Sequence, residues 1–312
     1  MNKPPPTLGK DILLYDATLL PQEKFEGVIN RAAELGVPIL FRHFGSRFGM
    51  MGRNLLTSDI VSYLKYQEKC GKPAPTCQVQ GKKNTRCNMD YTLLIKHFQM
   101  PRHLRNVCIN MLDNPVDCDP TLVEAFNSPD FIGDNDLTQF GIKRPKEAHE
   151  LRDGVKIPSL RRWLLVGSGV SGFHRDMMGL STAVQIQRGE KYWFWVEKND
   201  ENVAILAKKG QYKAVSKFTK VYGVHLYPGD LFVMNPGLIH AVVTKEDSFA
   251  AGSHFLFPRT LGQSFYMAKE DFRNPTITND ERDAKTFYSE LLKVYFNVVG
   301  AADRPERSHM GH

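Results

Sequence analysis

The hydrophobic pattern changes period partway along the chain. In residues 21–35 apolar positions fall at Phe25, Val28, Ile29 and Ala32, the spacing of one helical face. Pro21 near the start and Gly36 just past the end frame that helix. The apolar run 37–41 reads as a buried strand. Ser58 can cap a second helix that runs through Tyr66 and stops before Gly71. Residues 70–88 are polar and rich in Gly, Pro and Lys, so they read as a long loop, a length at which loops are often functional or mobile. Residues 103–112 read as a strand and 119–127 as a short helix, while 128–158 carry little periodicity.

From residue 160 to 258 the pattern becomes short strand-like runs at 162–166, 181–187, 192–197, 203–207, 223–226, 230–234, 241–244 and 250–257. Turn signals separate them: Arg188-Gly189-Glu190, Lys208-Lys209-Gly210 and Pro228-Gly229-Asp230. Many short strands at this spacing predict a mainly β fold, a double-stranded β-helix of the jelly-roll or cupin-like barrel type. Beyond it, Thr278 or Asn279 can cap a helix to Val299 with Phe287, Leu291, Tyr295 and Val299 on one face. The expected organisation is an N-terminal helical and mixed α/β region packing on the barrel (1–158), a jelly-roll core (159–260), a C-terminal helical region (261–303) and a disordered tail (304–312).

Composition adds limits. The 312 residues are 42% hydrophobic and 24% charged, an ordinary globular balance. No apolar run approaches a membrane span, and the first ten residues lack the apolar stretch of a signal peptide. An intracellular location, nuclear or cytoplasmic, is expected, with no membrane partner. The five cysteines show no Cys-x-x-Cys spacing and read as reduced thiols, though a zinc site in 70–88 stays open. The net charge of +7 allows an anionic partner, but the basic residues are scattered, so nucleic acid binding is permitted and not indicated.

The chemistry gathers around His174-Arg175-Asp176. In extended backbone, residues two apart face the same side, so one imidazole and one carboxylate can reach a single ion. His240, delivered by the turn, strand and second turn of residues 227–237, is the candidate third ligand. Two His and one carboxylate on one face of a metal leave its other positions open, the facial triad of non-haem Fe(II) oxygenases. With 10 His and 34 acidic residues, a chance His-x-acid match arises at roughly even odds, so the pair alone decides little. Lys191 begins the strand Tyr192-Trp193-Phe194-Trp195. Strand alternation puts Lys191, Trp193 and Trp195 on one face. If that face is interior, the ammonium needs an anion, for which the distal carboxylate of 2-oxoglutarate is suitable. In the opposite register Lys191 is a solvated turn lysine.

Taken together, Arg162-Trp163-Leu164-Leu165-Val166, Ser171-Gly172-Phe173-His174-Arg175-Asp176, Gly189-Glu190-Lys191-Tyr192-Trp193, Pro228-Gly229-Asp230-Leu231-Phe232-Val233, Pro236-Gly237 and His240-Ala241-Val242 resemble the JmjC family of oxygenases in order and spacing. The resemblance covers roughly residues 160 to 260. It implies that His174, Asp176 and His240 bind Fe(II) and are the catalytic centre, and that Lys191 binds the distal carboxylate of 2-oxoglutarate. Ser171 sits where the family often has a hydroxyl for the same carboxylate. Where the family often places an Asn, this chain reads Thr182-Ala183-Val184, and Thr182 can take that place. Tyr91 is a candidate for a family Tyr from an upstream strand. The implied reaction consumes 2-oxoglutarate and O2, releases succinate and CO2, and hydroxylates a substrate C–H bond; on an N-methyl carbon the product collapses to formaldehyde and amine.

The resulting expectation is a dioxygenase that hydroxylates a protein side chain or demethylates N-methyl-lysine, with a protein or peptide as substrate. Alternatives are an oxygenase of a small metabolite or nucleobase, with 70–88 as lid, and a catalytically silent jelly-roll binding module. The chain is expected to be a monomer, or a homodimer through its C-terminal helix.

Overall fold

The structure, a computed structural model, describes residues 11–47, 57–81, 84–115, 163–176, 179–274, 277–278 and 292. Its strands are β1 (Leu13–Asp16), β2 (Ile39–Arg42), β3 (Thr76–Gln80), β4 (Asn84–Asn88), β5 (Cys108–Pro115), β6 (Trp163–His174), β7 (Ser181–Arg188), β8 (Lys191–Trp195), β9 (Tyr222–Leu226), β10 (Leu231–Met234) and β11 (His240–Phe255). Its helices are α1 (Phe25–Leu35), α2 (Phe44–Arg47), α3 (Thr57–Lys69), α4 (Tyr91–Gln99), α5 (Asp200–Lys209) and α6 (Leu261–Arg273).

All eleven strands belong to one open sheet, with the path β1-β2-β10-β7-β11-β6-β5-β3-β4 and a branch through β8 to β9. The strand that folds the sheet over is β11. One edge runs along β6; the other pairs with β8 from His240 to Thr244 and with β7 from Phe249 to Phe255. The β6 register slips between Thr244 and Ser248, where β11 passes from one wall to the next. The two runs expected at 241–244 and 250–257 are thus one irregular strand. The result is mainly β with flanking helices, in keeping with the jelly-roll expectation, and it stays open rather than closing into a ring.

Alternation assigns the two faces. Val184, Ile186, Phe232, Met234, Val242 and Ala250 meet Trp193 and Trp195 inside the fold. Ala183, Leu231, Val233 and Phe255, one residue out of phase, point outward to Phe25, Val28, Ile29 and Ala32 of α1. Thus β7 is buried on both faces. Gly36, at φ 68°, ends α1 in the left-handed region and turns the chain back into β2, which pairs parallel with β1. A third cluster seats α3 and α4, through Ile60, Leu64, Leu94 and Phe98, on Ile109, Met111 and Val166.

Two local expectations are corrected. Residues 203–207 are helix, within α5. Asn199 caps it by accepting the Asn202 N–H at 2.8 Å, acidic residues open it and Lys208 and Lys209 close it, complementing the helix dipole. Residues 70–88 are not a long loop: they contain the hairpin β3–β4, with Cys77 opposite Cys87. The hairpin looks polar because β4 is the sheet edge and most of β3 is only partly buried. The expected helix at 119–127, the stretch 128–158 and the tail 304–312 lie outside the described residues. So does the C-terminal helix, apart from Thr278 and residue 292. Among the described residues no helix is long and apolar enough to cross a membrane.

Candidate metal centre

β6 ends at His174, and the extended backbone continues to Asp176, so these two side chains face inward while Arg175 points the other way. Arg175 is fully buried. Its Nε donates to Asp271 Oδ1 of α6 at 3.0 Å, a second guanidinium nitrogen bonds the same oxygen, and its N–H donates to Ile277 O at 3.0 Å. The segment carrying two of the three expected ligands is thereby pinned from behind.

His240 opens β11, directly opposite His174 on one side and Trp195 on the other. The turn before it needs Gly237, which sits at φ 78° and where a Cβ would run into Met267 of α6. Each imidazole is oriented from its far side. His174 Nδ1 lies 2.6 Å from Gly172 O, and His240 Nδ1 lies 3.0 Å from Leu238 O. A carbonyl only accepts, so each ring donates through Nδ1–H and turns its Nε2 inward. Those two nitrogens stand 3.9 and 3.8 Å from Asp176 Oδ1. The three ligand atoms lie within 4.8 Å of one another, and among the described residues this is the one group of three such side chains close enough to share an ion. The cysteines of 70–88 form no comparable group among the described residues, so the zinc alternative left open there has no ligand set.

The electrostatics suit a cation. Burial, aided by the neighbouring His240, lowers the His174 pKa to about 4, so this imidazole is neutral at physiological pH. Burial alone would raise the Asp176 carboxyl, but His240, His254, His174 and the Thr182 hydroxyl together hold it below its ordinary value. A carboxylate and neutral imidazoles are the ligating forms.

Further along the same interior face stands Lys191. Residues paired directly across strands share a face. The pairings therefore place His174, His240 and Trp195 in one row, Ser171, Val242 and Trp193 in the next, and Gly169, Thr244 and Lys191 in a third. Lys191 is 1% exposed, and its Nζ donates to Thr244 Oγ1 at 2.9 Å. Burial depresses its pKa to about 7. Of the two registers the sequence left open, the structure has the inward one. Ser171 joins this face through a bulge: three residues of β6 match two of β11 between His174–His240 and Ser171–Val242. Trp193 stacks on His240 with centroids 5.4 Å apart and planes at 16°, and its Nε1 is a buried donor without a hydrogen-bond partner among the described residues. An ammonium and an indole N–H turned into one interior, beside a carboxylate-and-imidazole set, fit a metal ion with an anionic co-substrate.

Tyr91 stands away from the centre, and Thr182 stands at it with its hydroxyl already engaged. Tyr91 is not on a strand near the centre: it opens α4, packs in the cluster of Ile60 and Leu94, and donates its hydroxyl to Pro73 O at 3.0 Å. Thr182 is at the centre, but its hydroxyl is engaged by Asp176 Oδ2 at 2.5 Å and meets His254 Nδ1 at 2.8 Å. The sequence reading missed His254. Its parity with Ala250 and Gly252 along β11 is the signal that turns it inward, and the strand assignment at 250–257 already contained it.

The comparisons with known proteins agree with this geometry. The JmjC domain family matches residues 167–261. A "JmjC domain-containing histone demethylation protein 1" from Yarrowia lipolytica is 28% identical over 131 residues, 38% of this chain and 25% of that protein. "Lysine-specific demethylase 2A" from Xenopus tropicalis is 26% identical over 167 residues, 50% of this chain and 14% of that protein. A further "JmjC domain-containing histone demethylation protein 1", from Emericella nidulans, is 29% identical over 192 residues, 53% of this chain and 14% of that protein. The aligned stretch thus spans a quarter or less of each relative's length. The matched stretch begins inside β6, ends at the start of α6 and encloses the His174, Asp176 and His240 cluster, so it is this part of the chain that is similar to the JmjC domain.

Proposed function

We propose that this chain is an Fe(II)- and 2-oxoglutarate-dependent dioxygenase that hydroxylates a C–H bond on a protein side chain, with His174, Asp176 and His240 as its iron ligands. The observation that carries the reading is the convergence of His174 Nε2, His240 Nε2 and Asp176 Oδ1 on the interior face that also buries Lys191. Two imidazoles and one carboxylate are the donor set that holds Fe(II) from one side and leaves positions for co-substrate and O2. When bound, the iron supplies O2 activation, coupled to decarboxylation of 2-oxoglutarate to succinate and CO2. The chain's own groups bind and orient. Lys191 offers its ammonium to the distal carboxylate, Ser171 a hydroxyl one row nearer the ligands, and Trp193 an indole N–H beside His240. The apolar wall of Val184, Phe232 and Val242 excludes water.

The relatives named as histone demethylases make N-methyl-lysine in a protein, in a nuclear setting, the first substrate to test. Hydroxylation of the N-methyl carbon adds one oxygen, and the hemiaminal breaks its C–N bond to give formaldehyde and the amine. The test is a succinate-release screen over methylated and unmethylated histone peptides with Fe(II), 2-oxoglutarate and O2. Succinate and formaldehyde in equal amounts are expected for a demethylase. Succinate with a peptide one oxygen heavier and no formaldehyde would move the reading to hydroxylation. Turnover confined to nucleosides or metabolites would replace the protein substrate. Succinate no higher than an Asp176→Ala control on every substrate would reject the oxygenase reading and leave a binding module.

A further inference from the structure

We propose that Thr182 and His254 are positioning residues of the metal centre, which restrain Asp176 to act as a ligand through a single oxygen. The inference rests on the reading that His174, Asp176 and His240 hold a metal.

Counting hydrogens fixes the direction of each bond in this cluster. Thr182 Oγ1 stands 2.5 Å from Asp176 Oδ2 and 2.8 Å from His254 Nδ1. An ionised carboxylate only accepts, so the single hydroxyl proton of Thr182 goes to Asp176. Thr182 Oγ1 then faces His254 as an acceptor, and His254 Nδ1 must supply the donor. The chain is therefore directional: His254 Nδ1–H to Thr182 Oγ1, and Thr182 Oγ1–H to Asp176 Oδ2. Every member is placed by the sheet. The β7–β11 pairing sets Thr182 directly opposite His254, the β7–β10 pairing sets Thr182 opposite Met234, and Asp176 arrives from the end of β6.

The consequence falls on the two carboxylate oxygens. Oδ2 is occupied by Thr182, while Oδ1 is the oxygen that faces both imidazole Nε2 atoms, at 3.9 and 3.8 Å. A carboxylate free to rotate can offer either oxygen or both, and two-oxygen ligation would fill a position that co-substrate or O2 needs. Held by Thr182, Asp176 presents one. The same pair explains how this chain manages with Thr182-Ala183-Val184 where an Asn was expected: the position supports the ligand instead of the co-substrate.

Partners of this kind affect metal affinity by about 10- to 100-fold when removed. The test uses the full chain freed of metal, titrated with Mn(II) alone by calorimetry, with thermal unfolding of the metal-free protein measured in parallel. Thr182→Val and His254→Leu are expected to weaken Mn(II) binding by about 10- to 100-fold while metal-free melting stays close to wild type. Thr182→Ser keeps the hydroxyl, and His254→Asn keeps a donor near the Nδ1 position. Both are expected to restore affinity to within a few-fold of wild type. Asp176→Ala separates the two claims. If Asp176→Ala binds Mn(II) as wild type does, or wild type does not bind it, the metal-centre reading fails and this inference with it. If Asp176→Ala loses binding while Thr182→Val and His254→Leu retain it, the centre stands and the positioning role is overturned. Should Thr182→Val misfold, His254→Leu against His254→Asn decides the matter in the same way.

Discussion

The interior of this fold holds two polar centres built on opposite principles. At the candidate metal end each of the three proposed ligands has a second partner. Gly172 O and Leu238 O orient the two imidazoles, Thr182 holds Asp176, and the Arg175–Asp271 pair fixes the strand from behind. At the other end Lys191 is buried just as deeply, yet among the described residues its amine meets only the neutral hydroxyl of Thr244. The first centre is pre-oriented, so its geometry is set before any ion arrives. The second carries a desolvated charge that no carboxylate among the described residues balances, so its stability depends on the ligand. The contrast predicts that substitutions at the two ends will differ in sign as well as in size.

The largest effect belongs to the ligands. On the proposed assignment, His174→Ala and Asp176→Ala each remove one of three ligands, and 2-oxoglutarate turnover is expected to fall to background. Succinate production by either purified variant at the wild-type rate would reject the ligand assignment and erase the difference between the two ends.

Next comes the support behind the strand. Asp271→Ala leaves the Arg175 guanidinium, 1% exposed, without its carboxylate. Breaking a buried pair from one side costs about 3–5 kcal/mol. Denaturant unfolding should show that loss, along with weaker Mn(II) binding, because Arg175 lies between two ligands. A loss under about 1 kcal/mol, the range of exposed pairs, would mean that the pair does not anchor the metal end.

How much of this could be read from the chain alone depends on how local each feature is. The two-residue spacing of His174 and Asp176 is a property of extended backbone, and the parity of Lys191, Trp193 and Trp195 needs only strand alternation, so both were legible. Asp230 was legible as part of a Pro-Gly-Asp turn, where it accepts the Tyr227 N–H at 2.8 Å. Ser171 was harder. Three residues from His174, it belongs on the opposite face of a regular strand, and only the bulge against β11 returns it to the interior. Residues 203–207 failed because a short apolar run has the same appearance in a strand as on one side of a helix, and the deciding signal was the Asn199 cap outside the run. The hairpin in 70–88 failed because edge strands carry the composition of loops. For His254 parity gave the face but not the role, which comes from Thr182 opposite it on β7, a pairing that no sequence period encodes.

Replacing Lys191 tests the second centre directly. Lys191→Met keeps the length of the side chain and removes the buried charge. Metal-free protein is expected to become more stable by about 1–2 kcal/mol, since apolar replacement of a desolvated charge is often stabilising. The same variant should need a roughly 10- to 100-fold higher 2-oxoglutarate concentration, the loss expected when about 1.5–3 kcal/mol of charge-assisted hydrogen bonding is removed. Opposite signs for stability and co-substrate binding are the signature of a group retained for function. A destabilised variant with an unchanged 2-oxoglutarate requirement would mean that Lys191 serves packing alone.

The smallest effect is the most specific, because it follows the proton on Lys191. Burial lowers this amine to about 7 in the fold from its ordinary value of 10.5. Below pH 7 both folded and unfolded chains carry the proton, and the full cost of the buried charge is present. Between pH 7 and 10.5 the unfolded chain retains a proton that the folded chain has released, so this group makes stability rise with pH. Binding an anion runs the other way: it favours the charged amine, so 2-oxoglutarate should bind with uptake of up to about one proton at pH 8 and lose affinity as pH climbs further. Calorimetry of the Mn(II)-loaded protein in buffers of different ionisation enthalpy measures that uptake, and Lys191→Met should abolish it. Proton uptake that persists in Lys191→Met would assign the titration to another group, and the metal end, with its low-lying His174 and Asp176, would no longer be the quieter of the two centres in this pH range.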